Sequence, residues 1–158
     1  MNNITENKTS DKKNIIIISG LAGSGKTIAI HALEDLGYYC IDNLPAVLLK
    51  SFAESIELNN LKASHIALAL DSRDPDNPVT FESICPGLMK SCNLQILFIT
   101  ASNDIILRRF RETRRQHPLS IFYPLLNLKE IIKLDEKTLE PIKNLAHRTL
   151  DTSHMPTQ

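Results

Sequence analysis

The sequence predicts an α/β domain, three layers in which helices flank a five-stranded, mainly parallel sheet. Three observations predict it. Runs of consecutive apolar residues, such as Ile15-Ile16-Ile17-Ile18 and Ile66-Ala67-Leu68-Ala69-Leu70, alternate with helical patterns, as expected of strands buried on both faces. The segment Gly20-Leu21-Ala22-Gly23-Ser24-Gly25-Lys26-Thr27 fits G-x-x-x-x-G-K-[ST] at every constrained position, directly behind the first run and ahead of a helix. The 158 residues, 42% of them hydrophobic, suffice for one domain with a full core.

Taken in order, Ile15 to Ser19 reads as the first strand and Lys26 to Leu36 as a helix stopped by Gly37. Tyr38 to Ile41 is a second short strand ending at Asp42-Asn43, and Pro45 suits the first turn of a helix reaching Glu57. Ile66 to Leu70 is a third strand that delivers Asp71. After the loop Asp74-Pro75-Asp76-Asn77-Pro78 comes a helix from Val79 to Lys90, which Pro86-Gly87 is expected to interrupt or split. Gln95 to Thr100 is a fourth strand. Asn103 is the expected cap of a helix with Ile106, Leu107 and Phe110 on its apolar side. Residues Gln116 to Asn127 show no periodicity; a last helix between Leu128 and His147 leads into a fifth strand at Thr149-Leu150-Asp151. The pattern is that of a P-loop domain of the kinase type, with its ligand at the carboxyl ends of the strands. Residues 1–13 are expected to be a flexible extension, 14–153 the nucleotide-binding domain and 154–158 a tail.

Lys+Arg and Asp+Glu both total 18, so no global basic charge argues for nucleic-acid binding, and a local patch would have to carry any. Cys40, Cys85 and Cys92 are odd in number and lack C-x-x-C spacing, which indicates neither a disulfide framework nor a zinc site. No signal peptide and no run of membrane-spanning length is visible, and a reduced cytoplasm suits the thiols.

The chemistry starts at the glycine-rich loop. Its glycines let successive N–H groups point at phosphate oxygens, Lys26 adds a positive charge toward the β- and γ-phosphates, and the Thr27 hydroxyl completes a Mg²⁺ shell. The helix opening at Lys26 aims its positive dipole end at the same anion. Asp71, at a strand end, reads as the carboxylate that holds Mg²⁺ or its water, or else as a turn residue stabilising the Asp71-Ser72-Arg73-Asp74 corner. Arg73 lies within reach of a phosphate or base. Asp42 and Asn43 read equally as proton acceptor with its neighbour or as ordinary turn residues. Arg108 to Arg115 holds five arginines in eight positions, and at helical spacing Arg108, Arg111 and Arg115 share a face. Such a face neutralises charge on a γ-phosphate, Arg111 foremost, or is simply solvated. His117 titrates near neutrality or is an exposed loop histidine. No N-K-x-D follows the loop and no D-x-x-G switch is present. ATP, or ATP and GTP without discrimination, therefore fits better than guanine alone.

Several segments together resemble the bacterial RapZ/YvcJ nucleotide-binding proteins: the loop 20–27, the run His31 to Pro45, Asp71-Ser72-Arg73, and Arg108 to Leu119. The stretch Ala32 to Pro45 is the most specific, because P-loop kinases in general do not share it. The resemblance implies binding and weak Mg²⁺-dependent hydrolysis of ATP and GTP, and in some members an RNase-adapter role with a small regulatory RNA. Carried over, Gly20 to Thr27 becomes the ATP site, and Asp71, Ser72, Arg73 and Asp74 a second nucleotide-binding segment, for GTP. Lys26, Asp71 and Arg111 are the expected catalytic residues, and Thr27 and Asp71 the metal contacts. A membrane partner is not expected, and an oligomer is compatible. Ala22 stands where a serine is commoner. The family's C-terminal domain, with which RNA and adapter contacts are associated, is expected to be absent from this chain.

Overall fold

The computed structural model describes residues 12–156; almost all of the expected N-terminal extension, and the last two residues of the expected tail, lie outside them. Five strands, β1 (Asn14–Gly20), β2 (Tyr39–Asp42), β3 (His65–Ala69), β4 (Asn93–Thr100) and β5 (Arg148–Asp151), form one sheet in the order β2-β3-β1-β4-β5. Every pairing is parallel, so the sheet is parallel throughout. β1 lies at the centre, with Ile17 opposite Leu68 on one side and Ile96 on the other. Of its apolar run, Ile15, Ile17 and Ile18 are wholly buried and Ile16 is half-buried.

The helices are α1 (Lys26–Asp35), α2 (Ala46–Glu57), α3 (Asn77–Ser91), α4 (Asn103–Thr113) and α5 (Leu128–Leu145). The buried cores of α2, α3, α4 and α5 join in one cluster with the sheet, around Leu49, Phe81, Leu88, Ile106, Leu139 and Ile142. α1 contributes no fully buried residue, and Ile28 stays 60% exposed.

Three sequence expectations change. The helix at 77–91 is continuous through Pro86. Pro86 faces solvent, where the carbonyl opposite its ring can tilt outward toward water. Gly87 lies against α2, since a Cβ there would stand 2.9 Å from Glu57 Oε1. The cap of α4 is Ser102, whose hydroxyl accepts the Ile105 N–H at 3.4 Å, rather than Asn103. And α4 ends at Thr113, because Arg114 turns left-handed with φ 52°. Arg115 therefore lies beyond the helix and does not share a helical face with Arg108 and Arg111. Within the irregular stretch, Pro118–Ile121 forms one 3-10 turn capped by His117.

β1 and β4 together fix where the loop after β1 begins. Gly20 pairs with Ile99, and a Cβ on Gly20 would sit 2.1 Å from the Ile99 carbonyl oxygen. Its φ of 151° adds a conformation that side chains rarely adopt. Gly20→Ala should therefore destabilise the domain by about 2 kcal/mol or more, read from urea unfolding. A midpoint equal to the parent's would show that the sheet yields at this point.

Candidate functional site

Segment 20–27 divides its main-chain N–H groups between two directions. Three turn inward: Leu21 N–H donates to the Ile99 carbonyl at 3.1 Å, Ala22 N–H to Asp135 Oδ2 at 2.9 Å, and Ser24 N–H to the Leu21 carbonyl at 3.0 Å. The N–H groups of Gly23, Gly25, Lys26 and Thr27 take no acceptor among the described residues. The last two open α1, whose N-terminus carries no side-chain cap. A helix start left uncapped beneath a curled loop leaves N–H groups and a positive dipole end suited to an anion. Gly23, at φ 83°, makes the curl possible, and a Cβ there would meet the Phe110 ring at 2.9 Å.

The loop's outer wall comes from α4 and the chain after β5. Arg109 donates through Nη1 to the Gly23 carbonyl and to Thr152 Oγ1, both at 3.0 Å, and through Nη2 to the Thr152 carbonyl at 2.6 Å. Thr152 Oγ1 in turn donates to the Ser24 carbonyl at 2.6 Å. Ser24 is buried, and its N–H and carbonyl are both taken by the protein.

On the other side lies the segment after β3. Asp71 Oδ2 accepts from Arg73 Nε at 2.8 Å and Nη2 at 2.6 Å, while Oδ1 accepts the Arg73 N–H at 2.9 Å. Asn43, left-handed at φ 57°, joins them: its amide nitrogen donates to Asp71 Oδ1 at 3.2 Å and its oxygen accepts from Arg73 Nη2 at 3.3 Å. The hydrogen bond to Asp71 raises the Arg73 guanidinium further above its ordinary value. Asp74 serves the fold rather than the site. Its carboxylate accepts the Ala46 N–H at 2.8 Å, at the start of α2, and the Asp76 N–H at 3.0 Å.

Lys26 stands half-buried between these walls. Burial lowers its ammonium below the ordinary lysine value, against the pull of Asp71, Asp135 and Asp42, with Arg73 adding to the fall. A polyphosphate beside it would supply charge that restores the cation. Thr27 is exposed at the mouth of the site. For Mg²⁺ the residues present fit: Thr27 and Asp71 offer hard oxygen donors, and no cluster of three acidic, His or Cys residues exists among those described. Mg²⁺ is characteristically held by one or two such groups together with phosphates and waters.

One residue escaped the sequence reading, and a second stands elsewhere than expected. Asp135, on α5, is 2% exposed and links the loop through Ala22 to the neighbouring segment through the Ser72 hydroxyl. His117 is buried rather than exposed; its Nε2 lies 3.5 Å from Asp135 Oδ2 and its ring stacks near Phe110. Nδ1 accepts the Leu119 N–H at 3.1 Å, which puts the proton of the neutral ring on Nε2, toward Asp135. Only a long-range pattern could reveal Asp135, since it lies within an amphipathic helix that gives no local signal. Arg109 was visible in the arginine run, but the spacing favoured Arg111, which is exposed and makes no hydrogen bond to the loop; Arg109 makes that bond instead.

The fold and site define a class: a P-loop domain of the kinase type. Solved structures agree on the fold, among them a shikimate kinase from Bacteroides thetaiotaomicron (TM-score 0.53, 15% identity, 92% of this chain and 90% of that one). A gluconokinase from Sinorhizobium meliloti is similar to the same degree (TM-score 0.53, 16% identity, 91% and 84%). More specifically, the RapZ-like N-terminal domain family matches residues 13–158, and the chain belongs to that family. RNase adapter protein RapZ of Sodalis glossinidius is 40% identical over 142 residues, and that of Erwinia tasmaniensis 42%. The alignment takes in 89% of this chain and 48% of each relative, so the chain spans about half the length of the curated relatives it matches.

The Asp135 carboxylate has a consequence for acid stability. Burial pushes it up, but the nearby His117 ring and the hydrogen bonds from Ser72 and Ala22 prevail and hold it below the ordinary value of 3.8. A carboxylate depressed on folding adds stability above its unfolded value, and that stability is lost as pH falls through the native one. Stability should therefore drop below about pH 4, and Asp135→Asn should flatten that limb in urea midpoints measured against pH. An unchanged limb would assign it to the exposed Asp151, lowered by its Ser153 hydrogen bonds.

Proposed function

We propose that this domain binds ATP and GTP with Mg²⁺, hydrolyses them slowly, and signals its occupancy to a partner. The observation that carries the reading is the set of four outward N–H groups at Gly23, Gly25, Lys26 and Thr27 with the Lys26 ammonium beside them. The main chain would wrap the phosphates, Lys26 would meet the β- and γ-oxygens, and Thr27 and Asp71 would hold the metal or its water. When bound, Mg²⁺ neutralises charge on the phosphates during transfer. Arg111, exposed on α4, is assigned to the γ-phosphate in the closed form. Of the segment 71–74, Arg73 is the residue suited to a phosphate or base, whereas Ser72 and Asp74 serve that segment through buried and main-chain bonds.

The relatives' name, RNase adapter protein, suggests that the partner belongs to an RNA-processing assembly. No helix among the described residues is long and apolar enough to cross a membrane, and a cytoplasmic setting is proposed on that family basis. A second reading, phosphoryl transfer to a small hydroxylated acceptor, draws on Asp42, the last residue of β2, and on Asn43 after it, which bonds Asp71 and Arg73. A screen of sugars and nucleosides as acceptors separates the two, since robust acceptor-dependent turnover favours the kinase.

Lys26→Ala should weaken ATP binding by about 2–3 kcal/mol, the scale of a charge-assisted phosphate contact, in calorimetric titration. Affinity equal to the parent's removes the proposed site. Arg111→Ala should leave affinity nearly unchanged and slow single-turnover hydrolysis about tenfold or more.

A further inference from the structure

Asp135 is used by none of the roles assigned above, yet three separate chain segments converge on it. Its Oδ2 takes the Ala22 N–H of the phosphate loop at 2.9 Å and faces His117 Nε2 at 3.5 Å. Its Oδ1 takes the Ser72 hydroxyl, one residue from Asp71 and one from Arg73. The carboxylate is thus bonded to the loop on one side and to the segment after β3 on the other, and is itself buried. His117 Nε2 is buried, aimed at this carboxylate, and makes no ordinary hydrogen bond. Through Nδ1 the same ring caps the 3-10 turn Pro118–Ile121, whose last residue, Ile121, stands exposed, as do Phe122 and Leu125 beyond it, Leu125 at 97%.

A contact of 3.5 Å between a ring N–H and a carboxylate has room to shorten. Drawing the phosphate loop onto a ligand moves Ala22, and Ala22 and His117 share one oxygen of Asp135. Any displacement of that oxygen changes the length of the second contact. The His117 ring also packs on Phe110, which itself lies against Gly23, so loop, ring and turn form one closed circuit of contacts. Two sites coupled through such an element must influence each other reciprocally.

We propose that Asp135 is the positioning residue of the phosphate loop, and that through His117 it ties the loop's curl to the conformation of residues 117–126. This rests on the nucleotide reading above and adds to it a route by which occupancy reaches the surface. The charged groups facing Asp135 are Lys26 from α1 and, when protonated, His117; its other partners, Ala22 N–H and the Ser72 hydroxyl, are neutral.

Amide hydrogen exchange on the full chain with and without ATP tests the proposal, together with ATP affinity by calorimetry and folding by circular dichroism. ATP should slow exchange in residues 20–27 and also in 118–126 of the parent chain. Asp135→Leu, which leaves the Ala22 N–H without an acceptor, should lower ATP affinity about tenfold or more. Asp135→Asn should recover most of that loss. Its amide oxygen still accepts from Ala22, and the Ser72 hydroxyl turns to accept from its nitrogen. His117→Asn keeps a cap for the Leu119 N–H but does not span the distance to Asp135. It should bind ATP, protect 20–27, and show no response in 118–126. Should Asp135→Leu fail to fold, His117→Asn decides alone. Protection confined to 20–27 in the parent, or a response in 118–126 that survives in His117→Asn, overturns the link. Asp135→Leu binding as tightly as the parent overturns the positioning role. A parent chain that binds no ATP overturns the nucleotide reading, and the proposal with it.

Discussion

A phosphate loop must satisfy some of its own amides inside the protein and leave others unsatisfied, and this constraint organises the domain. An orphaned inward N–H would cost the desolvation of a buried donor, while an outward N–H satisfied by protein would be lost to a ligand. Here the inward acceptors come from far along the chain: the Ile99 carbonyl at the end of β4, and Asp135 on α5. The parallel β1–β4 register delivers the first, because pairing Gly20 with Ile99 sets that carbonyl under the turn. Packing of α5 against the sheet delivers the second. The loop's shape is therefore a property of the whole fold, not of its glycines alone.

That dependence explains what could be read from the sequence. Strands and helices followed from local pattern: four apolar β-branched residues before Ser19 made β1, and glycine closed α1. The phosphate loop was legible because its requirements are local, with small residues and a lysine at fixed spacing. The supports were not legible. Asp135 sits in a helix whose neighbours Lys133, Glu136 and Lys137 are charged, so one more acid in that run signals nothing until α5 is docked. Pro86 misled for the complementary reason: a proline breaks a helix only where its ring and missing N–H cannot be accommodated, and exposure is invisible in the sequence.

The arginine run shows the same division at finer grain. Counting at helical spacing assumes that the helix continues, but Arg114 takes the left-handed cap and removes Arg115 from the face. Of the arginines inside α4, Arg109 points inward, and its guanidinium binds two carbonyls and a hydroxyl in the planar fork that suits it. It braces the loop from behind, while Arg108 and Arg111 stay in solvent on the same helix. One helix thus supplies both a fixed support and unattached charge.

The balance of charge around Lys26 ties these supports to the proposed chemistry. Burial disfavours its ammonium, and three carboxylates, Asp71, Asp135 and Asp42, oppose that effect. Asp135 is committed to hydrogen bonds that favour its anion. Asp71 is committed to Arg73, with both oxygens engaged by that residue. A metal bound directly to Asp71 would have to displace the guanidinium from Oδ2, whereas a metal bound through a water would leave the pair intact. On the proposed reading the second arrangement costs less, because it keeps Arg73 neutralised by Asp71 and leaves the polyphosphate to Lys26 and the loop's N–H groups. Direct coordination would instead release Arg73 toward the phosphates, and the pair would then act as an exchange in which Mg²⁺ takes the carboxylate and the anion takes the guanidinium.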